Sequence, residues 1–388
     1  MNAFRFRADI LAIIAVVAGL SACGGGGDGG STSGGASSSA PSTPNQGGST
    51  APAQPAALAP QTSIAPATYA DGTVQAQLFG TVNAYRQQLG VGLMRQDAKL
   101  DVAASAHAKY ELDNLVSGAI SALGHDESST LPGFTGASPL LRAIAAGAPA
   151  GEWVGENVAA SSLQTNQSGQ PGTDCANQWL NSVYHLEAAT ANSESMGVGV
   201  DSASNSGGTS YLCVLDMGTS TGVSGNPDPN NAADTNTIPY AGGQQFDTKL
   251  IVHAPYSGET GVSLTMRPES PNPAPDLSAP GRPIMVRVNA AQGNRLTVSS
   301  FQLVDASGAA VAARIIVPSD AVSGSTATTT ADVNNNLPEG VAFLLPLAAL
   351  KSNTTYTVTF AGSRANADGS SPVPMSTSWS FTTANTAQ

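Results

Sequence analysis

Apolar residues recur at spacings of three and four through Val74, Leu78, Val82, Tyr85 and Leu89, which predicts an amphipathic helix closed by Gly90 and Gly92. The same period returns after Asp97, through Leu100, Ala103, Ala104, His107 and Glu111 toward Leu115, and Gly118 ends it. A short helix is expected near Ser138 to Ala146, and a third long one from Cys175 to Glu187, with Ala176, Trp179, Leu180 and Val183 on one side. Trp153 to Ala160 reads as a short strand or turn, and Ser161 to Thr173 as a polar loop. Met196–Val200 and Tyr211–Met217 read as two strands joined by a Ser/Gly/Asn-rich turn. Helices followed by a late hairpin predict a mixed α/β layered domain.

Past residue 245 the pattern changes. Short runs of β-branched and apolar residues follow at 249–252, 283–288, 295–298, 301–304, 310–316, 341–345, 354–360 and 376–382. Polar turns separate them at roughly ten-residue intervals, the spacing of a β-sandwich.

The first residues set the compartment. Arg5 and Arg7 precede an apolar run from Ile10 to Leu20, too short for a spanning helix of about 20 residues and suited to a signal segment. It ends in Leu20-Ser21-Ala22-Cys23, which resembles the bacterial lipobox and implies lipidation of Cys23, with Gly24 in the position that sorts such proteins to the outer membrane. The membrane is therefore expected as a partner through the lipid on Cys23. From Gly24 to about Thr68 the chain is Gly, Ser, Ala, Pro, Thr and Gln. That composition cannot bury enough surface to fold, and as a coil it reaches roughly 35–40 Å.

Charge excludes one class of partner. The net charge is −12, and loss of the signal removes more positive than negative charge, so no nucleic acid is expected to bind through its phosphates. With Cys23 lipidated, Cys175 and Cys213 form an even pair in an oxidising compartment. They read as one disulfide, with two buried thiols as the alternative.

Three of the four histidines, His107, His125 and His185, share a segment with Gly155-Glu156-Asn157-Val158-Ala159. Two imidazoles and a carboxylate are a candidate metal or acid–base set. The Gly218-Thr219-Ser220-Thr221-Gly222 match to a nucleophile elbow lacks the helix it needs, because Gly225, Pro227 and Pro229 follow.

Several of these motifs occur in an order that resembles the CAP domain of the cysteine-rich secretory, antigen 5 and pathogenesis-related family, in its bacterial secreted form. They are Val82-Asn83-Ala84-Tyr85-Arg86, His107-Ala108, Gly124-His125, Arg142 with Gly147, Gly155-Glu156-Asn157-Val158-Ala159, Trp179 with Ser182 and His185, Gly197-Val198-Gly199, and Asp216-Met217-Gly218. The resemblance implies an α–β–α sandwich with a cleft holding His125, Glu156 and His185. Ser182 stands where many members carry a second acid, and Leu186 where bacterial relatives have arginine. Asp126, Glu152 and Glu187 are the available replacements for that acid. Leu350–Val358 followed by Trp379–Thr383 resembles the end of bacterial Ig-like domains.

The expected fold is thus α/β, a CAP-type sandwich followed by a C-terminal all-β Ig-like sandwich. The expected divisions are a lipoprotein signal peptide at 1–22, a disordered tether at 23–70, the CAP domain at 71–220, a linker at 221–245 and the Ig-like domain at 246–388. A divalent metal such as zinc is the candidate cofactor, with His125, Glu156 and His185 as ligands; Glu156 is otherwise the candidate base. The alternative is a hydrogen-bonded cluster that orders the cleft. His107 is expected to pack within the domain. Three functions follow: a non-enzymatic envelope lipoprotein binding a ligand or metal, a metal-dependent hydrolase of peptide or envelope polymer, and a surface adhesion or structural protein.

Overall fold

The computed structural model describes residues 58–291 and 293–386. The signal segment, Cys23 and most of the tether lie outside the described residues. Among the described residues no helix is long and apolar enough to cross a membrane.

The α/β half is built on four strands: β1 (Arg95–Gln96), β2 (Trp153–Gln164), β3 (Ser195–Asn205) and β4 (Gly208–Thr219), in the order β1-β3-β4-β2. Only the β1–β3 pairing is parallel. Helix α1 (Val74–Leu89) and helix α4 (Pro171–Leu180) cover one face, where Leu78, Val82, Trp179, Met196, Val198, Leu215 and Met217 form a core. Helix α2 (Ala98–Ser117) and helix α3 (Pro139–Ala145) cover the other, with Ala104, Ala108, Val158, Leu212 and Val214 packed there. The expected α–β–α layering is therefore the observed one.

Caps account for the helix limits. Thr73 and Asp97 accept backbone N–H bonds at the starts of α1 and α2, and Gly90 and Gly118 take left-handed conformations at their ends. Close approach accounts for two glycines of β3. A Cβ on Gly197 would fall 2.1 Å from the backbone of Leu100, and one on Gly199 would fall 2.1 Å from that of Ala104. Cys175 and Cys213 are disulfide-bonded, tying α4 to β4.

The third long helix differs from expectation. It is two helices, α4 and α5 (Tyr184–Ala189), broken at Asn181-Ser182-Val183. The Asn181 amide donates to the Asn177 carbonyl and the Ser182 hydroxyl donates to the Trp179 carbonyl. These local bonds close the last turn of α4 instead of continuing it. The expected short strand at 153–160 runs on to Gln164 because it pairs with β4 along its whole length.

The C-terminal half has two sheets. One contains β5 (Val252–Ala254), β6 (Ile284–Arg287), β8 (Ala313–Val317), β9 (Thr329–Ala331) and β10 (Val341–Pro346), in the order β5-β6-β10-β8-β9. The other is β12 (Val373–Thr382), β11 (Thr355–Ala365) and β7 (Arg295–Asp305). Ile284, Val286, Val298, Leu303, Val358, Phe360 and Phe381 fill the space between them. The runs at 295–298 and 301–304 are one continuous strand, since β7 pairs with β11 through both.

The two halves share a further core. Met285, Ile316 and Phe343, on the outer face of the larger sheet, pack with Leu89, Leu180, Val183 and Leu186 of the α/β half. Arg287 is buried there and donates to the Thr190 carbonyl and to Asn192. Residues 221–245, expected as a linker, run as a strap along the α/β half. Thr237 donates to the Val154 carbonyl, Leu140 to the Thr235 carbonyl and Gln244 to the Asn192 carbonyl. Residues 58–70, expected in the tether, are held likewise. Gln61 donates to the carbonyls of Leu93 and Glu194, and Tyr69 packs with the α1/α4 core. Polar composition concealed these bonds, because a Gln or Asn that satisfies a neighbour's backbone leaves no hydrophobic period in the sequence.

Candidate functional site

Strand β2 presents Val154, Glu156 and Val158 to the side covered by α2 and α3. Its register with β4 sets Glu156 directly opposite Asp216, so the two carboxyl groups emerge on the same face. The Glu156 side chain is fully buried. Its Oε1 lies 2.9 Å from His125 Nδ1, and its Oε2 accepts from Arg142 at 2.7 Å. His107 Nε2 is 3.6 Å from the same Oε1. The Glu156 backbone N–H donates to the side chain of Asn236, in the strap.

Burial by itself would favour the neutral acid at Glu156. The Arg142 guanidinium and the imidazoles of His107 and His125 outweigh it and hold the carboxyl well below the usual carboxylate range. Asp216 goes the other way. It is completely buried, and among the described residues neither carboxyl oxygen has a hydrogen-bond partner. Burial first, and the negative charge of Glu156 second, push it well above its ordinary value. Two facing carboxyls are thus pushed in opposite directions, Glu156 toward its ionised form and Asp216 toward its neutral form. Nearby on α2, Glu111 is buried and pushed up to about 7 by desolvation.

His107 is the hub behind Glu156, as expected of a packed and hydrogen-bonded residue. Its Nδ1 lies 3.0 Å from Glu127 Oε1 and its Nε2 lies 3.0 Å from the Gly124 carbonyl. Both partners accept, so the doubly protonated imidazolium satisfies them together. Burial opposes that charge, but the carboxylates of Glu156 and Glu127 outweigh it and raise the pKa. Glu127 in turn accepts from the backbone of Thr135 and Gly136. The Gly124-His125 loop is therefore pinned by its own backbone carbonyl onto a buried ion network. His125 is the part left accessible, with its side chain 32% exposed.

His185 is engaged elsewhere. Its Nδ1 lies 3.0 Å from Glu269 Oε2, and its backbone carbonyl accepts from the Asn157 amide. Glu269 also accepts the backbone N–H groups of Val183 and Tyr184 at 2.7 and 3.0 Å. The acid absent at Ser182 is thus supplied from the C-terminal half. Of the three sequence candidates, Glu187 pairs with Arg287 and Glu152 lies against Ser195, and among the described residues the ion pair of His185 is with Glu269 and not with Asp126. Nothing in the Pro-rich stretch around Glu269 signals this role.

His125 and Glu156 are therefore brought together, while His185 is paired with a different carboxylate. Among the described residues no group of three or more His, Cys, Asp or Glu side chains is arranged to hold a metal ion. The oxygens of Glu156 are engaged by Arg142 and His125. The roles of Glu127 and Asp216 are additional to the sequence candidates. Asp216 had one signal: it continues the alternation Leu212, Val214 on the buried face of β4, where a carboxylate is out of place.

Residues 79–217 match the family model for CAP, the cysteine-rich secretory protein family. No curated protein matches the chain.

Proposed function

We propose that this chain, whose residues 79–217 carry a CAP domain, is a cell-envelope lipoprotein that binds a ligand at the cleft edged by His125 and His185, without catalysis. One observation carries the reading: Glu156, the candidate base singled out in the sequence, is consumed by a buried ion network. A base must accept a proton during the reaction, and its pKa must lie near the working pH to do so. A carboxyl held far below that range by a guanidinium and two imidazoles meets neither need. His125 instead offers a partly exposed ring whose position is fixed from behind, the arrangement that suits recognition. The Ig-like half stiffens the cleft through Glu269, and the lipid on Cys23 holds the protein at the outer membrane.

The experiment pairs metal analysis with turnover. Purified full chain and the double variant His125→Ala/His185→Ala are compared for zinc content between about pH 6 and 8, where imidazole becomes neutral and able to ligate. Both are also incubated with peptide and peptidoglycan probes. Neither stoichiometric zinc nor turnover is expected. Turnover abolished by Glu156→Gln overturns the non-catalytic reading in favour of the hydrolase, whereas one zinc per chain that disappears in the double variant makes the ligand a metal. Incorporation of labelled palmitate that is lost in Cys23→Ala tests the anchor separately.

A further inference from the structure

A cavity of about 540 Å³ lies between the outer surface of α1 and α4 and the loop 256–263 of the C-terminal half. It is on the opposite side of the central sheet from Glu156, so it is distinct from the His125 cleft. Its volume falls within the roughly 300–1,000 Å³ typical of small-molecule sites.

The floor is a polar triad, a buried arginine with a half-buried tyrosine and glutamate. Tyr85 donates its hydroxyl to Glu259 Oε2 at 3.1 Å, and an Arg282 N–H lies 3.3 Å from that hydroxyl. Glu259 Oε2 also accepts the Tyr256 backbone N–H at 2.8 Å. Arg282 is 1% exposed, yet among the described residues its Nε has no hydrogen-bond partner. The other two guanidinium nitrogens donate to the Pro283 carbonyl and the Tyr85 hydroxyl, so Arg282 fixes the floor from behind.

The walls have two kinds of chemistry. The rings of Tyr85 and Tyr256 meet edge to face, with centroids 5.7 Å apart. Asn177, together with hydroxyl and amide neighbours from both halves, lines the remainder. The one anion and one cation of the floor face each other, so the cavity offers little net field to a charged ligand. Amides and hydroxyls both donate and accept, which matches groups that do the same. A tyrosine beside them supplies an apolar face with a polar tip.

The loop is also held in place before any ligand arrives. Gly258 donates to the Ser380 carbonyl, Thr382 to that of Glu259 and Val262 to that of Thr382. Binding therefore need not order the wall, which lowers its entropic cost.

We propose that this cavity is a binding site for a neutral, hydroxyl-rich ligand, a mono- or disaccharide unit, held by Tyr256, Asn177 and the Arg282–Glu259 floor. Vicinal hydroxyls answer the amides and hydroxyls of the wall, and the C–H face of a sugar ring lies on Tyr256. The site exists only where the two halves meet, so neither half alone would carry it.

The test uses the full chain and titration calorimetry with glucose, N-acetylglucosamine, cellobiose and N,N′-diacetylchitobiose. At least one sugar is expected to bind with a Kd of about 1 mM or tighter. Tyr256→Ala and Asn177→Ala, both partly exposed positions, should each weaken that binding by about tenfold or more while circular dichroism stays unchanged. Lys109→Ala, an exposed change on α2, serves as the control. Absence of binding by all four sugars overturns the proposal, as does binding that survives both cavity variants. Binding of a charged sugar phosphate in preference to its neutral parent also overturns it, because the argument requires a cavity without net field.

Discussion

The carboxylate of Glu269 sits 3.0 Å from the imidazole of His185 while also accepting the backbone N–H groups that open the helix carrying that histidine. One side chain from the C-terminal half thus orients a histidine of the α/β half. Its own side chain is completely buried, so this contact belongs to the fold and is not a surface ion pair of small worth.

Removing that carboxylate should loosen both halves together. Glu269→Ala is expected to lower stability by about 3 kcal/mol, because it leaves buried donors without acceptors. Glu269→Gln, which keeps an acceptor oxygen, should cost less. Urea denaturation read by fluorescence and by circular dichroism checks this. Loss of less than half a kcal/mol in the alanine variant would mean that solvent replaces the carboxylate freely.

Arg142→Met tests the ion network. The substitution strands the Glu156 anion in a buried site and should cost about 3–5 kcal/mol. Adding Glu156→Gln to the same chain removes the stranded charge and should recover part of that loss. A double variant no more stable than Arg142→Met alone would show that Arg142 acts through packing and not through charge.

Two neighbours make stability fall as pH rises, over different ranges. His107 has a raised pKa in the folded chain, so its contribution is complete below about 6.5, the unfolded value, and fades as pH rises through the folded value. Asp216 is also raised, but for an acid this means the unfolded state ionises first. Its effect on stability becomes steadily more unfavourable as pH climbs above about 3.9. Asp216→Asn should therefore raise the melting temperature at pH 7 and leave it nearly unchanged at pH 3. Equal shifts at both pH values would mean that Asp216 is ionised in the fold. His107→Gln should flatten the decline in stability above pH 6.5.

Gly199→Ala addresses the layering itself. A methyl group there meets the Ala104 backbone at 2.1 Å, and a helix backbone cannot move aside as a side chain can. The expected cost is about 3 kcal/mol or more. Gly80→Ala on α1, where a Cβ has open space, should be neutral or slightly stabilising. Thermal denaturation of the two variants gives the comparison.

The α/β half was legible in the residue pattern because its signals are local. Val74 to Leu89 and Leu100 to Leu115 keep a helical period over several turns, and Asp97 and Gly118 bracket the second helix within a residue. The Gly-Glu-Asn string, Trp179 and the Gly-Val-Gly strand marked the family for the same reason: each is short and contiguous. Where two signals competed within a few residues the pattern misled, as at Asn181-Ser182, whose side-chain bonds end a helix that the apolar period would continue.

What only the tertiary structure decided is which partner each charged or polar group finds. The sequence by itself determined the layered α/β and all-β parts, the cysteine pair, and the candidacy of His125, Glu156 and His185. It could not assign Glu269 to His185, Asp216 to Glu156, or Arg282 to Tyr85, since those pairs join segments 60 to 197 residues apart. A carboxylate carries the same letter whether it is solvated, ionised against a guanidinium or protonated in a dry core. Burial and the nearest charge decide among those states, and both are properties of the packed chain.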